Sequence, residues 1–276
     1  MDVKELKLMA NTIRQDIIRM VSNANSGHPA GALGMADIFA ALYFKVLNHN
    51  PKKPDWVDRD RLVLSNGHIC AVRYSSMARS GYFPVSELLT FRKLNSRLQG
   101  HPSYNDLSGV ESSSGSLGQG ISVSVGMAIA SRLDKKKNYV FCVSSDGDLN
   151  EGSSWEAINA AAKWKLDNLI VIVDRNYIQI SGKTEEIWPL DPLDKKFESF
   201  NWKVYNIDGH NIKEIISTLK KAKKEKGKPK VIIARTIIGK GVSYMENNHE
   251  WHGKPPNEEE AKKAIAELDE KRKKII

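Results

Sequence analysis

The sequence predicts an α/β fold: a doubly wound, mostly parallel sheet flanked by helices. Three observations predict it. Apolar runs suited to buried strands recur at Arg61–Ser65, Tyr139–Val143, Leu169–Val173 and Val231–Ala234. Helical patterns lie between them, and strands alternating with helices build parallel sheets from crossover units. The chain has 276 residues, 41% of them hydrophobic, which suits a single domain over 1–276 with a sizeable core.

Taken in order, Leu6, Met9, Ile13, Ile17, Met20 and Val21 recur at steps of three and four and predict an amphipathic helix ending near Asn23. Ser26-Gly27-His28-Pro29 reads as a loop. A second helix is predicted over Met35–Leu47, with Asp37 in its first turn, before Pro51 and Pro54 break the chain. Arg61–Ser65 is the first strand, and Asn66-Gly67-His68 turns it into a helix. Residues 86–115 predict a short helix and then a loop carrying His101. Leu117–Leu133 predicts a buried helix, its start marked by Gly115-Ser116-Leu117-Gly118-Gln119-Gly120. The second strand, Tyr139–Val143, is followed by a helix over Ser153–Trp164 with an alanine face, and then by the strand Leu169–Val173. Val204–Ile207, the helix Ile212–Lys223 and Val231–Ala234 form a further unit, and Glu258–Ile276 a charged terminal helix.

Lys and Arg total 42 against 33 Asp and Glu, a net charge of +9. The surplus lies in Lys135–Lys137, in the run Lys220–Lys230 and in Lys271–Lys274, read as solvated helix faces. No RNA-binding aromatic motif or zinc-finger spacing appears, so no nucleic-acid partner is predicted. No apolar stretch is long enough to span a bilayer, and the N-terminal residues lack a basic segment leading into an apolar one. A cytoplasmic protein is expected. Cys70 and Cys142 sit in apolar runs and read as buried small hydrophobes.

The chemistry concentrates at two strand ends. One strand runs into Ser144-Ser145-Asp146-Gly147-Asp148, another into Asp174-Arg175-Asn176-Tyr177-Ile178. Ligands in open α/β sheets sit beyond the carboxyl ends of strands. Asp146 and Asn176 are 30 residues apart (176 − 146), room for one helix and one strand, so the loops are predicted neighbours. A carboxylate and an amide oxygen are hard ligands suited to Mg²⁺ sharing its shell with phosphate oxygens. Gly147 lets a backbone N–H approach a phosphate, and the next helix offers its positive end. Alone, Asp-Gly is a common turn signal; the paired strand ends favour a site.

These residues resemble the thiamine-diphosphate motif, and the resemblance to transketolases extends along nearly the whole chain. Asn25–Pro29, Leu64–His68, Gly100-His101-Pro102, Gly115–Gly120 and Asn247–Gly253 stand in that family's order. The resemblance implies that Asp146, Asn176 and the Ile178 carbonyl ligate Mg²⁺, or another divalent cation such as Ca²⁺ or Mn²⁺. It implies that Gly147 N–H, His68 and His249 contact the diphosphate, both histidines lying near the reacting centre. Gly115 and Leu117 would hold the aminopyrimidine. His28 and His101 would bind hydroxyls of the sugar, and Glu151 would lie at a subunit interface, linked to a partner's catalytic carboxylate.

Family members are much longer. The resemblance therefore implies that the pyrimidine-binding and C-terminal domains belong to a partner chain, in a heterotetramer with two copies of each chain acting on sugar phosphates. Another thiamine-dependent reaction, deoxyxylulose-phosphate synthesis or oxo-acid decarboxylation, is the enzymatic alternative, and a non-catalytic regulatory relative the other. Four departures stand out: Ala30 for a frequent glycine, Ser145 for the motif's first glycine, Asp148 adding negative charge near a diphosphate, and Arg175 where an acidic residue or Asn is common. His49 is read as exposed, His210 as part of a helix cap, and Trp155 and Trp164 as packing residues.

Overall fold

The computed structural model describes residues 1–276. Its main sheet has five parallel strands: β1 (Arg61–Leu64), β2 (Val140–Ser145), β3 (Leu169–Arg175), β6 (Lys203–Asp208) and β7 (Lys230–Arg235), in the order β1-β2-β3-β7-β6. Between β3 and β6 lie a two-stranded antiparallel hairpin, β4 (Ile178–Gln179) with β5 (Gly182–Lys183), and the helices α7 (Thr184–Ile187) and α8 (Leu193–Ser199). The other helices are α1 (Val3–Ala24), α2 (Pro29–Gly34), α3 (Ala36–Ala41), α4 (Cys70–Ser80), α5 (Gln119–Leu133), α6 (Gly152–Lys163), α9 (Ile212–Lys224) and α10 (Glu258–Lys273).

Strand side chains alternate between two cores, as a period of two requires. Leu64, Phe141, Val143, Ile170, Ile172 and Ile232 join α1, α3, α4, α9 and α10 in one core. Val63, Cys142, Val171, Val173 and Ile233 join α5, α6 and α8 in the other. Helices thus cover both faces, the doubly wound arrangement the sequence predicts. Local signals set the helix ends. Asp2 accepts from Glu5 N–H while the Glu5 carboxylate accepts from Asp2 N–H, a capping box that starts α1. The same device at Asn257 and Glu260 starts α10.

Several expectations need correction. The helix predicted over Met35–Leu47 is α3, closing in a π-helical turn over Leu42–Val46. It follows a separate α2, which begins with Pro29 at its first position, where the missing N–H costs nothing. α5 starts at Gln119, two residues late, and only one side of it is buried: Val123 is 36% and Leu133 77% exposed. Lys230, in a run read as solvated, is buried; its amino group donates to the carbonyls of Asp167 and Glu225. His49 is half-buried, 3.0 Å from the Tyr82 hydroxyl and 2.7 Å from the Tyr43 carbonyl. His210 does not cap α9, which Asn211 caps. Instead its Nε2 accepts from Ile237 N–H and its Nδ1 meets Asp37, tying α3 to the segment after β7. Trp155 packs on Phe197 and Phe200, as expected, but Trp164 ends α6 half in solvent.

Candidate active site

The carboxyl ends of β1, β2 and β3 place the predicted loops side by side. Ser145 is the last residue of β2, in register with Asp174 of β3, so it is extended and needs no glycine. The chain leaves β2 at Asp146, whose side chain is fully buried. Asp146 Oδ2 accepts from Tyr177 N–H at 2.7 Å and from the Thr184 hydroxyl at 3.3 Å, which brings the two loops together as predicted. Asp146 Oδ1 has no hydrogen-bond partner. Arg175 Nη1 stands 3.0 Å from it, but without hydrogen-bond geometry. Burial pushes the Asp146 carboxyl up to about 6, against the pull of Arg175.

Asn176 is held from two sides. Its amide donates to Asp174 at 3.0 Å, and its carbonyl oxygen accepts from Ile178 N–H at 2.9 Å. Asp174 also accepts from the Thr236 hydroxyl beyond β7. Burial raises the Asp174 carboxyl to about 7. Gly147 faces Gln179 and Leu117, whose side-chain atoms lie 3.6 and 3.8 Å from where a Cβ would stand. The loop after β2, the 176–179 loop and the glycine-rich segment therefore meet at one place.

Asp148, the unexplained acidic residue, turns away from this opening. Its buried carboxylate accepts from Ser65 Oγ at 2.9 Å, Ser144 Oγ at 2.5 Å and Gly118 N–H at 2.6 Å. It ties the ends of β1 and β2 to the glycine-rich segment. Gly118 has φ +80°, and a Cβ there would come within 2.5 Å of the Glu151 Cβ, so only glycine fits. Glu151 stands exposed at the N-cap position of α6, without a side-chain capping bond.

The histidines form a second group. His28 and His68 ring centroids are 5.3 Å apart, and His28 and His101 6.3 Å. His101 packs beside Gly115. His249 does not join them; it is exposed in the turn His249–Trp251. His252 takes that place, 5.9 Å from His28 and 5.1 Å from His68. The 3-10 turn points the first histidine outward and the third residue after it inward. The sequence motif Asn247–Gly253 contains both, and only the turn decides between them. Burial, then the neighbouring His252, lowers His28 to about 4. Burial also holds His68 well below the usual histidine range and lowers His101 and His252. All four are neutral near pH 7, able both to donate and to accept.

The residues fit a metal–diphosphate ligand. His28 Nδ1, His252 Nδ1, both polar atoms of Asn66 and Asp146 Oδ1 are buried without partners, and buried polar groups ordinarily have them. No group of three or more His, Cys, Asp or Glu is placed to hold a metal by itself. One carboxylate, one amide and one carbonyl suffice for Mg²⁺ only when phosphate oxygens and water complete its shell.

Residues 5–274 match the family described as transketolase, thiamine diphosphate binding domain. The chain is 41% identical over 265 residues to a 6-deoxy-6-sulfo-D-fructose transketolase subunit of Clostridium sp. (strain MSTE9), covering 96% of each. It is 42% identical over 267 residues to an apulose-4-phosphate transketolase subunit of Actinobacillus succinogenes, again covering 96% of each. Among solved structures, transketolase from Campylobacter jejuni superposes with a TM-score of 0.92 at 40% identity, over 98% of this chain and 43% of that one. The chain thus spans about two fifths of that longer enzyme.

Proposed function

Because the chain belongs to the transketolase family, in its thiamine-diphosphate-binding domain, we propose that it is one subunit of a two-chain transketolase. It transfers a two-carbon ketol unit from a ketose phosphate, or a similarly anionic ketose, to an aldose phosphate. The observation that carries this reading is the buried Asp146 Oδ1, without a hydrogen-bond partner, beside Asn176 and close to a glycine-rich segment, in a chain that also groups four neutral histidines. Thiamine diphosphate, when bound, supplies the carbon nucleophile and the electron sink.

This chain's residues bind and orient. Asp146, Asn176 and the Ile178 carbonyl hold a divalent cation, and Gly147 N–H meets the diphosphate. Leu117 and Gly115 border the aminopyrimidine. His28, His68, His101 and His252 hydrogen-bond sugar hydroxyls, and being neutral they can exchange protons with them at Nδ1 or Nε2. Glu151, exposed beside Gly118, is placed to meet a partner.

The partner supplies the pyrimidine-binding and C-terminal domains, and a two-plus-two heterotetramer satisfies two-fold symmetry. Relatives of matching length named as subunits support this, together with the greater length of single-chain transketolases. The substrates are charged sugars that do not cross membranes, which favours a cytoplasmic enzyme. The test is ketol transfer by the purified chain with thiamine diphosphate and Mg²⁺, with and without a chain carrying a pyrimidine-binding domain. Full activity of the chain alone would refute the two-chain reading.

A further inference from the structure

We propose that Arg175 is the resident counter-ion of Asp146, and that it makes the site accept a divalent cation together with a diphosphate rather than alone. The inference rests on the reading of Asp146 as a metal ligand.

Four contacts fix the guanidinium, whose side chain is 1% exposed. Nη1 stands 3.0 Å from Asp146 Oδ1. Nη2 lies 2.5 Å from Glu185 Oε1 and 3.0 Å from Asp191 Oδ1. The Cζ sits 3.9 Å from the centre of the Tyr177 ring. With Nη2 bonded to Glu185, Nη1 ion-paired with Asp146 and the plane stacked on Tyr177, the guanidinium stays beside Oδ1.

The other side of Asp146 is closed as well. Oδ2 is taken by Tyr177 N–H and Thr184, so Oδ1 is the atom left for a metal. That atom is also the one facing the fixed positive charge. Without metal, Arg175 compensates a buried carboxylate that would otherwise be unpaired and strongly destabilising. With a bare divalent cation on Oδ1, the metal and the guanidinium face the same buried oxygen, while Glu185 and Asp191, their side chains 34% and 52% exposed, act on the arginine partly through solvent. Like charges a few ångströms apart in a buried site repel strongly. The anionic oxygens of a diphosphate bring counter-charge close to both cations at the buried oxygen, so the metal and diphosphate enter as one unit.

The test titrates Mn²⁺ into the full chain and follows the free ion by electron paramagnetic resonance, with and without inorganic pyrophosphate. Arg175→Gln should bind Mn²⁺ alone about tenfold or more tighter than the native chain, a difference that shrinks when pyrophosphate is present. Arg175→Lys, which keeps the charge, should stay near the native value. If Arg175→Gln unfolds by circular dichroism, the double variant Arg175→Gln, Glu185→Gln keeps the local charge sum unchanged and carries the same expectation. Binding no tighter than native in these neutral variants overturns the proposal. If the native chain takes no Mn²⁺ even with pyrophosphate, or Asp146→Asn leaves uptake unchanged, the metal-ligand reading itself fails instead.

Discussion

Replacing Asp148 by alanine tests whether that carboxylate holds the site together. Three donors converge on it: Ser65 Oγ, Ser144 Oγ and Gly118 N–H. Leaving a buried donor unsatisfied costs about 1–3 kcal/mol. The two hydroxyls can rotate toward other acceptors and should cost about 1 kcal/mol each, whereas the Gly118 N–H is fixed by the backbone and should cost about 2 kcal/mol. Burial raises the Asp148 carboxyl above its usual range, so removing it also relieves some desolvation, an offset of about 1 kcal/mol. The sum is a loss of about 3 kcal/mol. Asp148→Asn keeps an acceptor for Gly118 and should lose only about 1 kcal/mol. Urea unfolding followed by circular dichroism measures both, and a double-mutant cycle with Ser144→Ala should show coupling, since the two residues share one hydrogen bond. An alanine variant within about 0.5 kcal/mol of the native chain, with no coupling to Ser144, would show the network to be incidental.

Three further outcomes are expected. In the partner-complemented enzyme, His252→Ala should lower kcat by about a hundredfold while His249→Ala stays within about twofold; steady-state ketol transfer decides, and the reverse order would return the role to His249. Gly120→Ala would place a Cβ 2.5 Å from the Ser65 Cα, so its melting temperature should fall by several degrees and cofactor affinity with it; an unchanged melt would mean that the segment after β1 yields freely. His28 titrates at about 4 in the fold against 6.5 ordinarily, so the fold favours its neutral form. That contribution is present above pH 6.5 and is lost as pH falls toward 4. At about 1.4 kcal/mol per pH unit, discounted for the part of the ring in solvent, the loss is about 2 kcal/mol. His28→Gln should remove it from the difference between urea unfolding at pH 7 and at pH 4.5, and an identical difference in the variant would count against the assignment.

The central strands were legible because they are buried on both faces: Leu169–Val173 can hardly be read otherwise, and the loops after β2 and β3 carried their chemistry in plain residue types. The segment from Tyr177 to Ser199 was not legible. Two-residue strands and the single turn Thr184–Ile187 have no period to detect, and Tyr177, Thr184 and Glu185 are placed by Arg175 and Asp146; the two-turn α8 offers only Leu193 and Phe197 as a burial signal. The choice between His249 and His252 was hidden for a similar reason, since one 3-10 turn settles which ring faces inward. Asp148 looked wrong beside a diphosphate because sequence records that a charge is near, not which way it points. Lys230 bonds to backbone carbonyls, as does one nitrogen of His49, and no side-chain pattern announces such partners.

The edge strand β1 has a larger part than its four residues suggest. Its register runs from Arg61 opposite Val140 to Leu64 opposite Val143, so everything from Ser65 to Tyr139 is an excursion between two neighbouring strands. His68, His101 and the segment Gly115–Gly120 all ride on that excursion. Closing a loop of such length costs about 4 kcal/mol of chain entropy, set against the β1 ladder and the packing of α4 and α5 into the two cores. Local opening of this rim would therefore dismantle the histidine group while leaving β2, β3, β7 and β6 paired. By mass action, any ligand that needs the closed excursion adds its binding free energy to the docking of β1. The slow or fast exchange of a few amide hydrogens at the edge of the sheet then reports how full the pocket is.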